Sequence, residues 1–133
     1  MKKLILLFIT LSLIFLSCEI PKDDNVYDSI SILDVKYYGI LSDRDVNTFE
    51  IKIKYELLTQ AQGIIKFYFN DGDSPDKIIH RGDSFNVTKG SAEQVFTVIA
   101  LPKKWPDSKF KVMVIMFAND IGVATDEMSL EVN

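Results

Sequence analysis

Cysteine, histidine and tryptophan each occur once among the 133 residues. A single cysteine excludes an internal disulfide, and one Cys with one His excludes a Cys/His zinc site. Basic residues are also in short supply: 15 Lys+Arg stand against 19 Asp+Glu, a formal net charge of −4, which argues against a nucleic-acid partner. There is no nucleophile elbow, no phosphate-binding glycine loop and no pair of histidines. No 12-residue window of the body has a helical period. What remains is 47% hydrophobic and 26% charged, a globular composition in a chain long enough for one domain. These absences predict a protein that is not an enzyme and needs no cofactor.

The first segment is built for export. Residues 1–18 read MKKLILLFITLSLIFLSC, with Lys2 and Lys3 ahead of a 13-residue, mostly apolar run from Leu4 to Leu16. As a helix that run reaches about 20 Å, short of the roughly 30 Å of a hydrocarbon core, so it fits a secretory h-region better than a membrane span. Phe15-Leu16-Ser17-Cys18 closes the run on the only cysteine. This ending resembles the lipobox of bacterial lipoproteins, with Ser17 as the small residue before the cysteine and Phe15 where that family usually has Leu. The resemblance implies cleavage before Cys18 and a diacylglycerol on its thiol, hence attachment to a membrane through lipid. Two acyl chains give the stable anchoring that one does not. Removing residues 1–17 takes away two lysines and no acid, leaving 13 basic against 19 acidic side chains. An acidic body has no affinity for an anionic surface, so the lipid must hold it.

Residues 18–25 then form the lipidated cysteine and a short polar tether. Within it Lys22-Asp23-Asp24 is similar to the export signal of surface lipoproteins of the Bacteroidetes, which implies a cell-envelope location at the outer membrane, exposed on the surface; read simply as a solvated linker, it leaves the periplasmic face of a membrane as the other destination.

From Val26 the pattern changes to period two. Phe49, Ile51, Ile53, Tyr55 and Leu57 alternate with Glu50, Lys52, Lys54 and Glu56, the signature of a half-buried strand with one wet face. Tyr27 to Tyr38 reads as a strand with a β-bulge where alternation slips at Ile32-Leu33-Asp34. Further strands are expected over Ile64 to Phe69, over Lys77 to Thr88 as one or two pieces, and from Met128 to Val132. Gln94 to Leu101 and Phe110 to Phe117 are nearly continuous apolar runs, expected of central strands or of strands whose outer face meets a partner. Turn residues separate them at 60–63, 70–75, 89–91, 102–108 and 119–122. The layout predicts an all-β fold, one immunoglobulin-like sandwich of seven or eight antiparallel strands over residues 26–133. Leu101-Pro102 followed by Phe110-Lys111-Val112-Met113-Val114 resembles the turn between the fifth and sixth strands of fibronectin type III modules, with Phe110 where that family usually has Tyr. The whole is similar to immunoglobulin-like domains of Bacteroidetes lipoproteins.

Candidate sites are sparse. On an antiparallel seven-strand succession the loops 39–47, 70–75 and 102–108 share one pole, where Asp43, Asp45, Asp71, Asp73 and Asp76 could supply oxygens to a calcium ion. Against this, solvated Asp and Gly are ordinary in turns, and Lys103 and Lys104 could neutralise the acids. Trp105, between cations, could stack on a sugar as in carbohydrate-binding modules, or cap the core, the reading preferred here. Asp28-Ser29-Ile30 resembles the O-glycosylation acceptor of Bacteroidetes at Ser29. Asn86-Val87-Thr88 fits the N-glycosylation sequon, which a bacterial lipoprotein rarely uses. His80 has no evident nucleophile in train, and Arg81-Gly82-Asp83 would serve adhesion only on an exposed loop.

The expected function is therefore a lipid-anchored, non-enzymatic envelope protein that binds a protein or a glycan. The alternatives are a structural or accessory lipoprotein with no ligand of its own, or a carbohydrate-binding module. Because Cys18 is the sole thiol, Cys18→Ala is expected to abolish incorporation of labelled palmitate; equal labelling of parent and variant would exclude the lipid anchor.

Overall fold

The computed structural model describes residues 26–74 and 76–133. Residues 1–25, and with them the export segment, Cys18 and the tether, lie outside the described residues. The chain forms five antiparallel strands: β1 (Ser29–Tyr37), β2 (Asn47–Asp71), β3 (Ile78–Ala100), β4 (Lys109–Ala118) and β5 (Ile121–Glu131). No helix occurs among the described residues.

Two of these strands do the work of four. β2 and β3 pair from Asn47–Ala100 to Asn70–Ile78, but the ladder breaks between Leu57 and Gln62. There residues 58–61 of β2 stand opposite Lys89 alone, so β2 takes the longer path and the two-stranded ribbon folds over. Gly90, at φ +129°, supplies a conformation that a side chain would resist. The four residues that lose ladder partners need other acceptors. Asp28 provides one: its carboxylate accepts from the N–H of Leu58 (2.7 Å) and Thr59 (3.0 Å) and from the Thr59 hydroxyl. Desolvation raises the Asp28 pKa, and the three hydrogen bonds together outweigh it, so the carboxyl titrates below its ordinary range. Its stabilising contribution is complete above the unfolded-state pKa and disappears as pH falls through the depressed value.

The fold-over produces two layers. In the first, β1 pairs with residues 47–57 of β2, which pair in turn with residues 90–100 of β3. In the second, residues 78–88 of β3 pair with 62–71 of β2, then come β4 and β5. Counting each half as a segment, the layers hold segments 1-2-5 and 4-3-6-7. The fourth joins the third, whereas in constant-type immunoglobulin domains it lies beside the fifth. The expected sandwich is therefore built of five strands rather than seven or eight, with seven segments. The turn chemistry read at 60–63 and 89–91 is the two sides of one bend. The Leu101-to-Phe110 connection joins the fifth and sixth segments, as the fibronectin type III resemblance implies. The bulge in β1 lies between Ile32 and Asp34, where alternation slipped.

Inward residues of both layers meet in one core. Phe49, Ile51, Ile53 and Leu57 are fully buried while Lys52 and Lys54 are exposed. Phe67, Phe69, Phe110, Val112, Val114 and Met116 face them from the other layer. Each fully buried phenylalanine contributes about 1.5–3 kcal/mol by removal from water. The open sides of the sandwich are stitched by carboxylates from the opposite layer. Ile32 N–H donates to Asp126 of β5 (2.8 Å), and Ile99 N–H donates to Asp83 of β3 (3.2 Å). Each bond occupies an edge donor that would otherwise be open to another chain. Of the two continuous apolar runs, β4 is central as expected, but residues 94–100 form an edge, and their outward side chains meet solvent.

Candidate functional site

Folding the ribbon brings three connections to one pole, 38–46, 72–77 and 101–108, as the sequence predicts. Trp105 holds them together. Its indole is 5% exposed and packs 5.0 Å from Phe110, 5.8 Å from Phe49 and 6.0 Å from Phe69, centroid to centroid. Its Nε1–H donates to the Ser42 carbonyl (3.1 Å) and its backbone N–H to the Asp43 carboxylate (2.7 Å). Buried Asn47 fastens the first connection, accepting from Ser42 N–H (2.9 Å) and donating to the carbonyls of Ser42, Asp45 and Ala100. The connection from β2 to β3 is drawn against β4 by a bond from Gly72 N–H to the Lys109 carbonyl (3.0 Å). A Cβ on Gly72 would lie 2.6 Å from that oxygen, so only glycine permits the approach.

This arrangement decides between the alternatives read for two features. Trp105 presents no free ring to a sugar, because both packing and hydrogen bonding turn it into the core; it is the cap. The five aspartates reach the same pole without forming a cation site. Among the described residues no three His, Cys, Asp or Glu gather in a way that could hold a metal. Asp43 is committed to Trp105, and Asp45 accepts from the Ser42 hydroxyl (3.2 Å). Asp71 pairs with Lys77 (3.7 Å) and accepts from Asp73 N–H (2.9 Å). Asp73 pairs with Lys109 (3.5 Å) and accepts from Ser108 (3.2 Å). Asp76 is exposed in the turn. Neutralisation comes from Lys77 and Lys109, not from Lys103 or Lys104; Lys104 pairs with Asp107 instead. A polar cleft of about 290 Å³ remains between Asp71, Asp73, Lys77, Lys104 and Asp107.

The smaller motifs resolve in the same way. Ser29 is exposed at the start of β1, but the neighbouring Asp28 is engaged by β2. Arg81-Gly82-Asp83 lies inside β3 rather than on a loop, with Gly82 backed by Phe67 and Val98 and Asp83 bound to Ile99. His80 packs 6.1 Å from the Phe69 ring. Asn86 and Thr88 point outward on β3, on either side of buried Val87.

Beside this pole the run from Gln94 to Leu101 leaves an exposed apolar strip. Val95 (54% exposed), Ile99 (47%) and Leu101 (47%) project from the outer side of the β3 edge. Val46 lies one residue beyond the Asn47–Ala100 pair and is also exposed. Next to Leu101 an open cleft of about 390 Å³ is lined by Ile78, Ile79, His80, Arg81 and Lys103. Apolar side chains thus stand in water with cations, Arg81 and Lys103, at the Leu101 end and Glu50 opposite Thr97 on the same face. The signal for it was the nearly continuous apolar run ending at Leu101.

No protein-family model and no curated protein matches the chain. Among solved structures, it is similar to a glycosyl hydrolase family 2 member from Bacteroides cellulosilyticus DSM 14838. The match has 11% identity and a TM-score of 0.56, and covers 79% of this chain and 15% of that one. A second structure, of a glycosyl hydrolase family 2 member from B. cellulosilyticus obtained from microfluidic crystals, matches at 10% identity and TM-score 0.55, covering 79% and 14%. At this identity the likeness shows a shared fold, and the chain spans about a seventh of the length of the proteins it matches.

With the aspartates at the loop pole held by lysines and backbone donors, melting curves of the purified protein in millimolar calcium and in chelator are expected to superimpose. A calcium-dependent rise lost in the Asp71→Asn, Asp73→Asn variant would contradict this account of the pole.

Proposed function

We propose that the protein is a lipid-anchored, non-enzymatic component of the cell envelope that binds a partner protein through the apolar strip beside its loop pole. The observation that carries this reading is the row Val95, Ile99 and Leu101, with Val46, left in water on an edge segment. Isolated exposed apolar residues are ordinary, but four on one face at an edge segment, interrupted by Thr97 and with charges beside them, have the anatomy of an interface. Arg81 and Lys103 at its margin suit a partner with an acidic rim, which would be steered in and oriented by the opposite charge.

The placement of the N-terminus supports the same reading. β1 begins beside the ribbon bend and rises over nine residues toward the loops, about 27 Å. A lipid on Cys18 would join the domain at its bend end, opposite the loop pole and the strip. Recurrence of this sandwich as a minor share of a much longer Bacteroides glycosyl hydrolase chain supports an accessory role rather than catalysis. Trp105 is buried at this pole, and the exposed Tyr38 is tied through its hydroxyl to Glu50 (3.3 Å), which favours a protein over a glycan as the occupant here.

The test uses the full-length protein in its native cells, with a photoreactive amino acid at Leu101, at Ile99, or at Glu127 on the far layer. A discrete adduct with one envelope protein from Leu101 and Ile99, and none from Glu127, is expected. No adduct at any position, or the same adducts at all three, would exclude this surface.

A further inference from the structure

At the opposite end of the molecule, beside the bend, a second cleft of about 370 Å³ has a different chemistry. Its floor is Ile64 and Phe117, paired partners on neighbouring strands whose side chains face outward from the second layer. Its rim carries Gln62 and Thr88, a ladder pair that flanks the bend, Asn86 two residues from Thr88, and the β4–β5 turn, Asn119 and Asp120. That turn is a two-residue hairpin with φ +51° and +62°, which lifts both side chains beside the sheet. Lys66 lies over the Phe117 ring at 5.0 Å but does not line the cleft.

The two ends differ in how their polar groups are occupied. At the loop pole, Asp43, Asp45, Asp71 and Asp73 are each held by a hydrogen bond or a lysine. Around the second cleft, no hydrogen bond or ion pair among the described residues involves the side chain of Gln62, Asn86, Thr88, Asn119 or Asp120. Five exposed polar groups with no intramolecular partner therefore border an apolar floor. Three are amides, each offering donors and an acceptor, one is a hydroxyl, and one is an acceptor-only carboxylate.

From this chemistry we infer that the cleft is a binding site for a neutral saccharide. A sugar ring presents alternating hydroxyls that both donate and accept, matching amides and a hydroxyl, and C–H groups that pack on Ile64 and on the part of Phe117 that Lys66 leaves uncovered. Lys66 over the floor ring and Asp120 on the rim offset each other, so the cleft offers no net positive charge to a phosphorylated or acidic ligand. A purely apolar ligand would strip water from five polar groups and return nothing to them. The volume lies in the range of small-ligand sites and accommodates one or two sugar residues. The site is separate from the protein-binding strip, so either can fail without the other. It also gives Asn86-Val87-Thr88 a role unrelated to glycosylation, since strand alternation sends both polar residues to the outer face.

The test is calorimetric titration of the full-length purified protein with neutral hexaoses of glucose, mannose and xylose, and with a hexauronate as the charged control. Saturable binding of at least one neutral hexaose, and none of the uronate, is expected. Gln62→Ala with Asn86→Ala should weaken it about tenfold or more, two lost hydrogen bonds at about fivefold each, without lowering the melting temperature. Should that variant melt early, Asn119→Gly, which keeps the left-handed turn, must give a weakening of several-fold. Absence of binding to all three neutral probes, preference for the uronate, or unchanged affinity in the variants would overturn the proposal. Leu101→Glu, on the other surface, must leave saccharide affinity unchanged.

Discussion

The contact between Phe49 and Phe69 governs the architecture. These rings sit on one continuous strand, twenty residues apart, a separation that an extended chain would stretch to about 66 Å. They are instead 4.8 Å apart, facing each other across the sandwich. Nothing short of folding β2 back on itself achieves this, and β3 must follow because it is hydrogen-bonded to β2 on both sides of the bend. Once the ribbon is folded, its two inner faces form a core, Phe110 and Trp105 close the top, and three connections arrive at one pole. The bend itself stays in water, stabilised by the Asp28 clamp on Leu58 and Thr59.

Much of this could be read from the chain because alternation is a local signal. Phe49 to Leu57 reported its own buried face, and the slip at Ile32-Leu33-Asp34 reported its own bulge. The pairing of turn signals at 60–63 and 89–91 into a single bend was not readable, since it depends on register between segments thirty residues apart. Strand count suffered for the same reason: a ladder that persists through a bend makes one strand out of two. The apolar run at 94–101 likewise could not say whether it was central or at an edge, because the neighbour on its second side is decided by topology.

Site residues divide along the same line. Shared placement of the acidic loops followed from antiparallel succession. Their chemistry did not follow, because carboxylates find the nearest donors, and those proved to be Lys77, Lys109 and the Trp105 backbone. Aspartate in this molecule is mostly a structural acceptor: Asp28 at the bend, Asp43 under Trp105, Asp83 and Asp126 on the sandwich edges. Groups free to meet a ligand are amides around the second cleft, which no acid-centred search would select. Composition alone therefore misdirects attention toward the acidic pole.

A double-mutant cycle on Phe49 and Phe69 tests the folded ribbon most directly. Equilibrium unfolding of the parent, Phe49→Leu, Phe69→Leu and the double variant yields the coupling between the two rings. Packing across the sandwich predicts a coupling of about 0.5–1.5 kcal/mol. Effects that add to within about 0.3 kcal/mol would mean that the rings do not touch, and the folded ribbon would have to be abandoned.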